Sequence, residues 1–370
     1  MSSPPDPRTA SAGPSPHLEA LPARVIVTGA SGWLGRRLVA ALLTGLEGVP
    51  PFDAAPAVEG LILGVHAHDP DLPEWTDPRI QLVRGDLRDA AYARALCDRG
   101  EGTLLFHTAG LIHPGRVKDF YAVNTRGTEL LLEAAEQQGV RRAVVVSSNS
   151  PVGCNASPEA LFDEATPFNP YMGYGRSKML MEQATRAIQA RGRLETVIVR
   201  PPWFYGPYPP PRQTLFFEMI RDGRVPIVGR GENLRSMVYI DNLCQGLLRA
   251  ALVPHANGET YWIADAEPYE MNRIVDTVER VLESDFGFRV AHKRLRLPAL
   301  AGDVATWLDG VLQRVGVYQQ KLHVLGEMNK HIACSIGKAQ RELGYEPTIS
   351  LEEGMRRSIR YCIDQGLLRP

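Results

Sequence analysis

The sequence predicts a doubly wound α/β fold, a parallel sheet with helices on both faces, followed by a smaller C-terminal lobe. Three observations predict it. A β-branched run, Arg24 to Thr28, leads straight into a glycine-rich turn and then an amphipathic helix. Short apolar runs then alternate with helical patterns as far as Arg200, the rhythm of repeated β-α units. A proline-rich stretch, Pro207 to Pro211, breaks that rhythm and opens a more mixed region.

The first strand, Arg24-Val-Ile-Val-Thr28, runs into Gly29-Ala-Ser-Gly-Trp-Leu-Gly35, and Leu34, Leu38, Leu42 and Leu46 then fall at helical spacing. Strand, glycine turn and helix in that order make a phosphate-binding layout. Gly29 permits a tight turn, Gly32 lets the backbone approach a pyrophosphate, and Gly35 lets the helix pack closely on the strand. Ser31, Trp33 and Leu34, between these glycines, are expected to line the same cofactor site. The spacing is Gly-x-x-Gly-x-x-Gly, not the Gly-x-Gly-x-x-Gly of ordinary dinucleotide folds. Further strands are expected at Leu61 to His66, Ile80 to Gly85, Thr103 to His107, Ala143 to Ser148 and Thr196 to Arg200, with helices at Asn124 to Glu136 and Tyr171 to Ala190. The expected organisation is a Rossmann-type domain over residues 22–200, rejoined by 234–265, with most of 201–370 forming a substrate-binding lobe. Residues 1–21, rich in Pro, Ser and Ala, are expected to be a disordered tail without the features of a signal peptide.

The chemistry centres on Tyr174 and Lys178, in Tyr-Gly-Arg-Ser-Lys. Four positions apart, they share one helix face. A phenol with a reference pKa of about 10 is a poor base, and a fixed ammonium beside it is expected to bring it toward neutrality. No metal is needed for such chemistry, and His66, His68, His107 and His113 read as structural or surface histidines, not ligands.

Composition excludes other classes. The chain has 370 residues, 44% hydrophobic and 22% charged, with a formal net charge of -1. That is enough for a large core, and the balanced charge, without a dense Lys/Arg block, argues against nucleic acid or an anionic membrane as partner. Cys97, Cys154, Cys244, Cys334 and Cys362 are scattered and read as free thiols of a reducing compartment, so a cytoplasmic enzyme with a small-molecule substrate is expected. The apolar stretch Leu297 to Val315 is interrupted by Asp303, Asp309 and Arg314 and does not read as a membrane span. Its stripe of Leu297, Leu300, Val304, Trp307, Leu308, Val311 and Val315 is expected to pack on the lobe's own core, with an apolar lid over substrate as the alternative.

In the right order, Thr28 to Gly35, Gly85-Asp-Leu-Arg-Asp89, His107-Thr-Ala-Gly110, Asn124-Thr-Arg-Gly-Thr128, Ser147-Ser148, Tyr174 to Lys178 and Arg200-Pro-Pro-Trp-Phe-Tyr-Gly-Pro207 together resemble the extended short-chain dehydrogenase/reductase superfamily. That superfamily includes nucleotide-sugar epimerases and dehydratases, 3β-hydroxysteroid dehydrogenases and dihydroflavonol reductases, and the similarity runs from Ala23 onward. It implies that Asp86 and Leu87 flank the adenine, that Ala109 and Gly110 line the cofactor behind the phosphate loop, and that Pro201 lies beside the nicotinamide. Asn124 is either on the cofactor side or simply a helix N-cap. Counted back from Gly153, the family's hydroxyl is Ser148; counted from Cys154 it would be Asn149, which has none. Ser148 is therefore taken as the third catalytic residue with Tyr174 and Lys178, and Ser150 as its substrate-side neighbour. Arg235 falls where sugar-nucleotide epimerases keep an arginine for the diphosphate, whereas Trp203 stands where they usually carry asparagine. The resemblance also implies a homodimer formed through the helices at 124–136 and 171–190.

The cofactor is expected to be NAD or NADP. The second strand ends Val65-His-Ala-His-Asp69: Asp69 on the ribose would favour NAD, whereas His68 with Arg36 would accommodate the extra phosphate of NADP. The function expected is hydride transfer at a secondary alcohol or ketone carbon, with Tyr174 carrying the proton. A nucleotide-sugar 4-epimerase or dehydratase with retained NAD, and a non-catalytic NAD(P)-binding regulator, are the alternatives.

Overall fold

The computed structural model describes residues 16–369. Seven strands form the central sheet: β1 (Arg24–Thr28), β2 (Gly60–His66), β3 (Ile80–Gly85), β4 (Leu104–His107), β5 (Arg142–Val146), β6 (Glu195–Arg200) and β7 (Thr260–Trp262). All neighbours are parallel, in the order β7-β6-β5-β4-β1-β2-β3. The first six strands lie within two residues of their sequence-predicted ends. β7 is the return to the sheet expected within 234–265, although Val238 to Ala251 itself is mostly helical.

The helices are α1 (Trp33–Thr44), α2 (Ala90–Leu96), α3 (the continuous run Val117–Phe120, Tyr121–Gly127 and Thr128–Gln137), α4 (Met172–Gln189), α5 (Pro211–Arg221), α6 (Ile240–Leu252), α7 (Met271–Ser284), α8 (Ala299–Arg314), α9 (Gln320–Glu327) and α10 (Leu351–Asp364). Strand side chains alternate between two cores. Val25, Val27, Leu61 and Phe106 pack with Leu38 and Leu42 of α1 and Leu243 and Leu247 of α6. Ile26, Ile62, Leu105 and Val145 pack with Leu96, Leu131 and Met181 from α2, α3 and α4. Burial on both faces is why these strands read as continuous β-branched runs.

The strand order reverses between β1 and β4, which leaves a crevice at their carboxyl ends. Three two-stranded pairs build the lobe beside it: Trp203–Tyr205 with Met237–Tyr239, Leu234–Arg235 with Tyr269–Glu270, and Pro226–Val228 with Leu295–Leu297.

Two expectations change here. Residues 1–15 of the supposed tail lie outside the described residues, but 16–21 are held against the body. Leu18 and Leu21 pack on the core, and Glu19 pairs with Arg141 at 2.5 Å. The apolar stripe of α8 does not pack on the lobe's core: Leu300, Trp307 and Val315 are 68%, 66% and 72% exposed. Helical spacing shows that a stripe exists, not which way it faces.

Candidate active site

The site is built where β1 and β4 end. Gly29 has φ +66°, a conformation open to glycine, and a Cβ there would lie 2.6 Å from Ala109 Cα, so the two turns touch. At Gly35 a Cβ would sit 2.1 Å from the Gly29 carbonyl oxygen, which places α1 directly on the turn. Gly32 is the N-cap of α1 and supplies no side-chain cap, so the N–H groups of Trp33, Leu34 and Gly35 have no intrahelical partner. Free donors at the positive end of a helix fit a pyrophosphate.

The side chains beside these glycines are already engaged. Leu34 is buried in the core, so it can offer the cofactor only its backbone. Trp33 Nε1 donates to the Pro207 carbonyl at 2.7 Å, and its ring centroid lies 4.8 Å from that of Phe204. Ser31 donates to Asp69 at 2.5 Å, and Asp69 also accepts the His66 N–H at 2.9 Å. Of the groups at the end of β2, Asp69 is thus the one tied to the phosphate loop. His68 is exposed, and Arg36 pairs with Glu74 at 2.6 Å. Asp86 accepts from Arg88, whose Nε lies 3.0 Å from each carboxylate oxygen, and this guanidinium holds its pKa below the usual range. Leu87 packs over Gly127 of α3.

Asn124 is not an N-cap. It sits in the widened turn Tyr121–Gly127 of α3, fully buried. Its amide accepts the Leu111 N–H at 2.7 Å and donates to the Leu111 carbonyl at 2.9 Å and the Ser177 hydroxyl at 3.1 Å. It therefore clamps the loop that carries Gly110 to α4.

Ser148 follows β5. Its Oγ lies 3.3 Å from Ser150 Oγ, and both residues are buried. Tyr174, in the first turn of α4, is half-buried against Phe120, with ring centroids 5.7 Å apart. Burial pushes its phenol up to about 12, and the neighbouring Ser148 hydroxyl only partly opposes this. The expected lowering by Lys178 is absent, because the ammonium is directed elsewhere. Lys178 Nζ donates to the Val146 carbonyl at 2.9 Å, at the end of β5, and burial pushes its pKa down to about 8. Gly110 lies against that ammonium, since a Cβ there would be 3.3 Å from Nζ. With one of three protons spent on Val146, donors remain at the Gly110 edge, where a ribose hydroxyl could accept.

Pro201 and Pro202 are buried where β6 stops. Trp203 is half-buried, edge-on to Phe216. The Arg235 Nε is buried without a hydrogen-bond partner among the described residues. Among the described residues no group of His, Cys, Asp or Glu gathers to hold a metal, and His107 spans Thr28 and Thr128 at 2.7 and 2.8 Å, a structural role.

Residues 25–264 match the NAD dependent epimerase/dehydratase family. The chain belongs to that family. It is 50% identical over 345 residues to the uncharacterized protein y4nL of Sinorhizobium fredii, covering 92% of this chain and 96% of that one. It is 32% identical over 360 residues to a 3β-hydroxysteroid dehydrogenase/Δ5→4-isomerase of Mycobacterium tuberculosis, covering 92% and 90%. Among solved structures, a dTDP-glucose 4,6-dehydratase of Streptomyces venezuelae with NAD and TYD bound is similar with a TM-score of 0.69 and 26% identity, covering 92% and 97%. The chain is thus an NAD(P)-dependent oxidoreductase or epimerase, and the glycine cradle and uncapped α1 fit its dinucleotide.

For a family member with this cradle, Gly35→Ala is expected to lower NADH affinity at least tenfold, because α1 must retreat from the loop. Overpacking of this kind costs about 1–3 kcal/mol of stability. A fluorescence titration with NADH checks the first effect and a urea titration the second.

Three further groups near Tyr174 carry no motif. Tyr318 donates or accepts at 2.8 Å with His113 Nδ1, and burial with the charges of Arg212 and His323 pushes that histidine down to about 4. The Arg212 charge reaches both Tyr174 and Tyr318. They come from the loop after β4, the start of α5 and the segment after α8, so no local spacing connects them.

Proposed function

We propose that this enzyme oxidises or reduces a secondary alcohol or ketone carbon of an apolar small molecule, with Tyr174 carrying the proton. The observation that carries this reading is that Ser148 and Tyr174 are neighbours at the end of β5, where Lys178 is held by the Val146 carbonyl against Gly110. When bound, the nicotinamide supplies the hydride donor or acceptor. Ser148 and Ser150 would hydrogen-bond the substrate oxygen and hold it by the phenol. Tyr174 would give its proton to that oxygen in reduction and take it in oxidation. Lys178 would bind the ribose hydroxyls from the Gly110 edge. The half-buried rings of Trp203 and Phe216 suit an apolar substrate, as does the resemblance to a hydroxysteroid dehydrogenase. The test is the nicotinamide absorbance change with steroid-like alcohols and β-keto compounds. A tightly retained NAD with no net absorbance change, and inversion of a UDP-sugar, would sink the proposal. That second reading, a sugar-nucleotide epimerase, is favoured by the unpartnered Arg235 Nε, a donor suited to a diphosphate.

We further infer a preference for NAD over NADP, because the carboxylate of Asp69 stands at the phosphate loop while Arg36 is held by Glu74. A 2′-phosphate brought to Asp69 would meet a like charge. Asp69→Ala is expected to weaken NAD at least tenfold and to narrow or reverse the preference, read as kcat/KM with each cofactor. An unchanged ratio removes Asp69 from that role. A homodimer through α3 and α4 and a cytoplasmic location complete the reading; light scattering on the purified chain tests the former.

A further inference from the structure

Helix α8 is built inside out for a helix in water. Gly302, Ala305 and Asp309 face the protein. Asp309 accepts from His323 Nδ1 at 2.8 Å, Thr306 donates to the Gly326 carbonyl at 3.2 Å, and Gln313 accepts the Gly173 N–H of α4 at 2.9 Å. The polar face of α8 therefore docks inward, one residue from Tyr174. The opposite face presents Leu300, Val304, Trp307, Leu308, Val311 and Val315, all exposed and all on one helical stripe. Nine of the thirteen large exposed apolar side chains of the described residues fall between Leu295 and Val324. Scattered apolar residues are ordinary on a surface, but a contiguous concentration marks a contact.

Charge indicates what makes that contact. Residues 289–324 hold six Lys or Arg against two Asp, a basic segment that the chain-wide net charge conceals. Both aspartates are already paired, Asp303 with Lys330 at 2.7 Å and Asp309 with His323, and of the six cations Arg294 is held by Asp276 and Glu279. Lys293 and Arg296 precede the stripe, and Arg314 and Lys321 follow it, all exposed. A second copy packed on this face by two-fold symmetry would bring these like charges together. Anionic headgroups would neutralise them while the acyl region covers the stripe, and a tryptophan in such a face suits the boundary between the two. Among the described residues no helix is long and apolar enough to cross a membrane, so the helix would lie in the surface.

We propose that the outer face of α8 docks on an anionic lipid surface. The full chain should float with phosphatidylcholine vesicles that contain phosphatidylglycerol, more weakly with phosphatidylcholine alone, and less as salt is raised. The double substitution Leu300→Glu and Trp307→Glu should abolish flotation while NADH affinity stays within twofold. Should that variant melt early, Arg314→Gln with Lys321→Gln reads the charge half of the contact and should weaken flotation at least threefold. A wild-type chain that stays at the bottom of the gradient with both vesicles overturns the proposal. So does flotation that survives the substitutions, or a dimer in solution that Leu300→Glu and Trp307→Glu split, which would assign the face to a second copy.

Discussion

Tyr174→Phe is expected to lower kcat by about 10²–10⁴-fold, the range a positioned proton donor contributes, with NADH affinity within about twofold of the parent. The phenyl ring keeps the packing on Phe120, so only the hydroxyl beside Ser148 is lost. The pH dependence separates this from a packing defect. With its pKa pushed up to about 12, the phenol is protonated at neutral pH and ready to donate, so reduction should be flat there. Oxidation needs the phenolate, whose population rises about tenfold per pH unit below the pKa. In the alcohol-oxidising direction kcat/KM should therefore climb from about pH 6 to about pH 7, below the Lys178 pKa of about 8, where that ammonium still carries its charge. The residual rate of the Phe variant should lose that slope. An equal slope in both proteins would take Tyr174 out of the proton transfer.

What the sequence made legible is what is local in the chain. β1, the glycine turn and α1 are consecutive, and strands buried on both faces announce themselves as apolar β-branched runs, so the sheet could be placed almost residue by residue. The strings that hold Ser148, Tyr174 and Lys178 could be picked out because each is local, one to the end of β5 and one to α4. The state of those residues was not legible. Whether Lys178 lowers the Tyr174 pKa depends on where the ammonium points and how deeply the phenol is buried, and here the Val146 carbonyl takes the ammonium. Asn124 has the right type for a cap, but its environment is the Leu111 loop, which only the folded chain brings to it. Tyr318, His113 and Arg212 meet from three distant segments, and the outward face of α8 has the same period as an inward one.

Arg200→Met is expected to destabilise the chain by about 3–5 kcal/mol, the usual cost of leaving one partner of a buried ion pair alone. Arg200 ends β6 and reaches Glu182 of α4 through two bonds, Nε at 2.9 Å and a terminal nitrogen at 2.7 Å, with both side chains almost fully buried. Ser147, next to Ser148, adds a third bond to the same carboxylate at 2.6 Å. The pair thus ties the end of β5, the end of β6 and α4 at one point. Glu182 lies one turn beyond Lys178 and two beyond Tyr174, so the register of both along the crevice depends on it. Methionine fills much of the arginine's volume but leaves the buried Glu182 charge with only the Ser147 hydroxyl and the more distant Arg186 guanidinium, 4.0 Å away, to oppose it. Adding Glu182→Leu removes that stranded charge, so the double variant should recover a large part of the loss in a urea titration. Its kcat should nevertheless stay below that of the parent, since two apolar side chains fill the space without fixing α4 in direction. A single variant that loses less than about 1 kcal/mol would show that the junction is held by packing and not by charge.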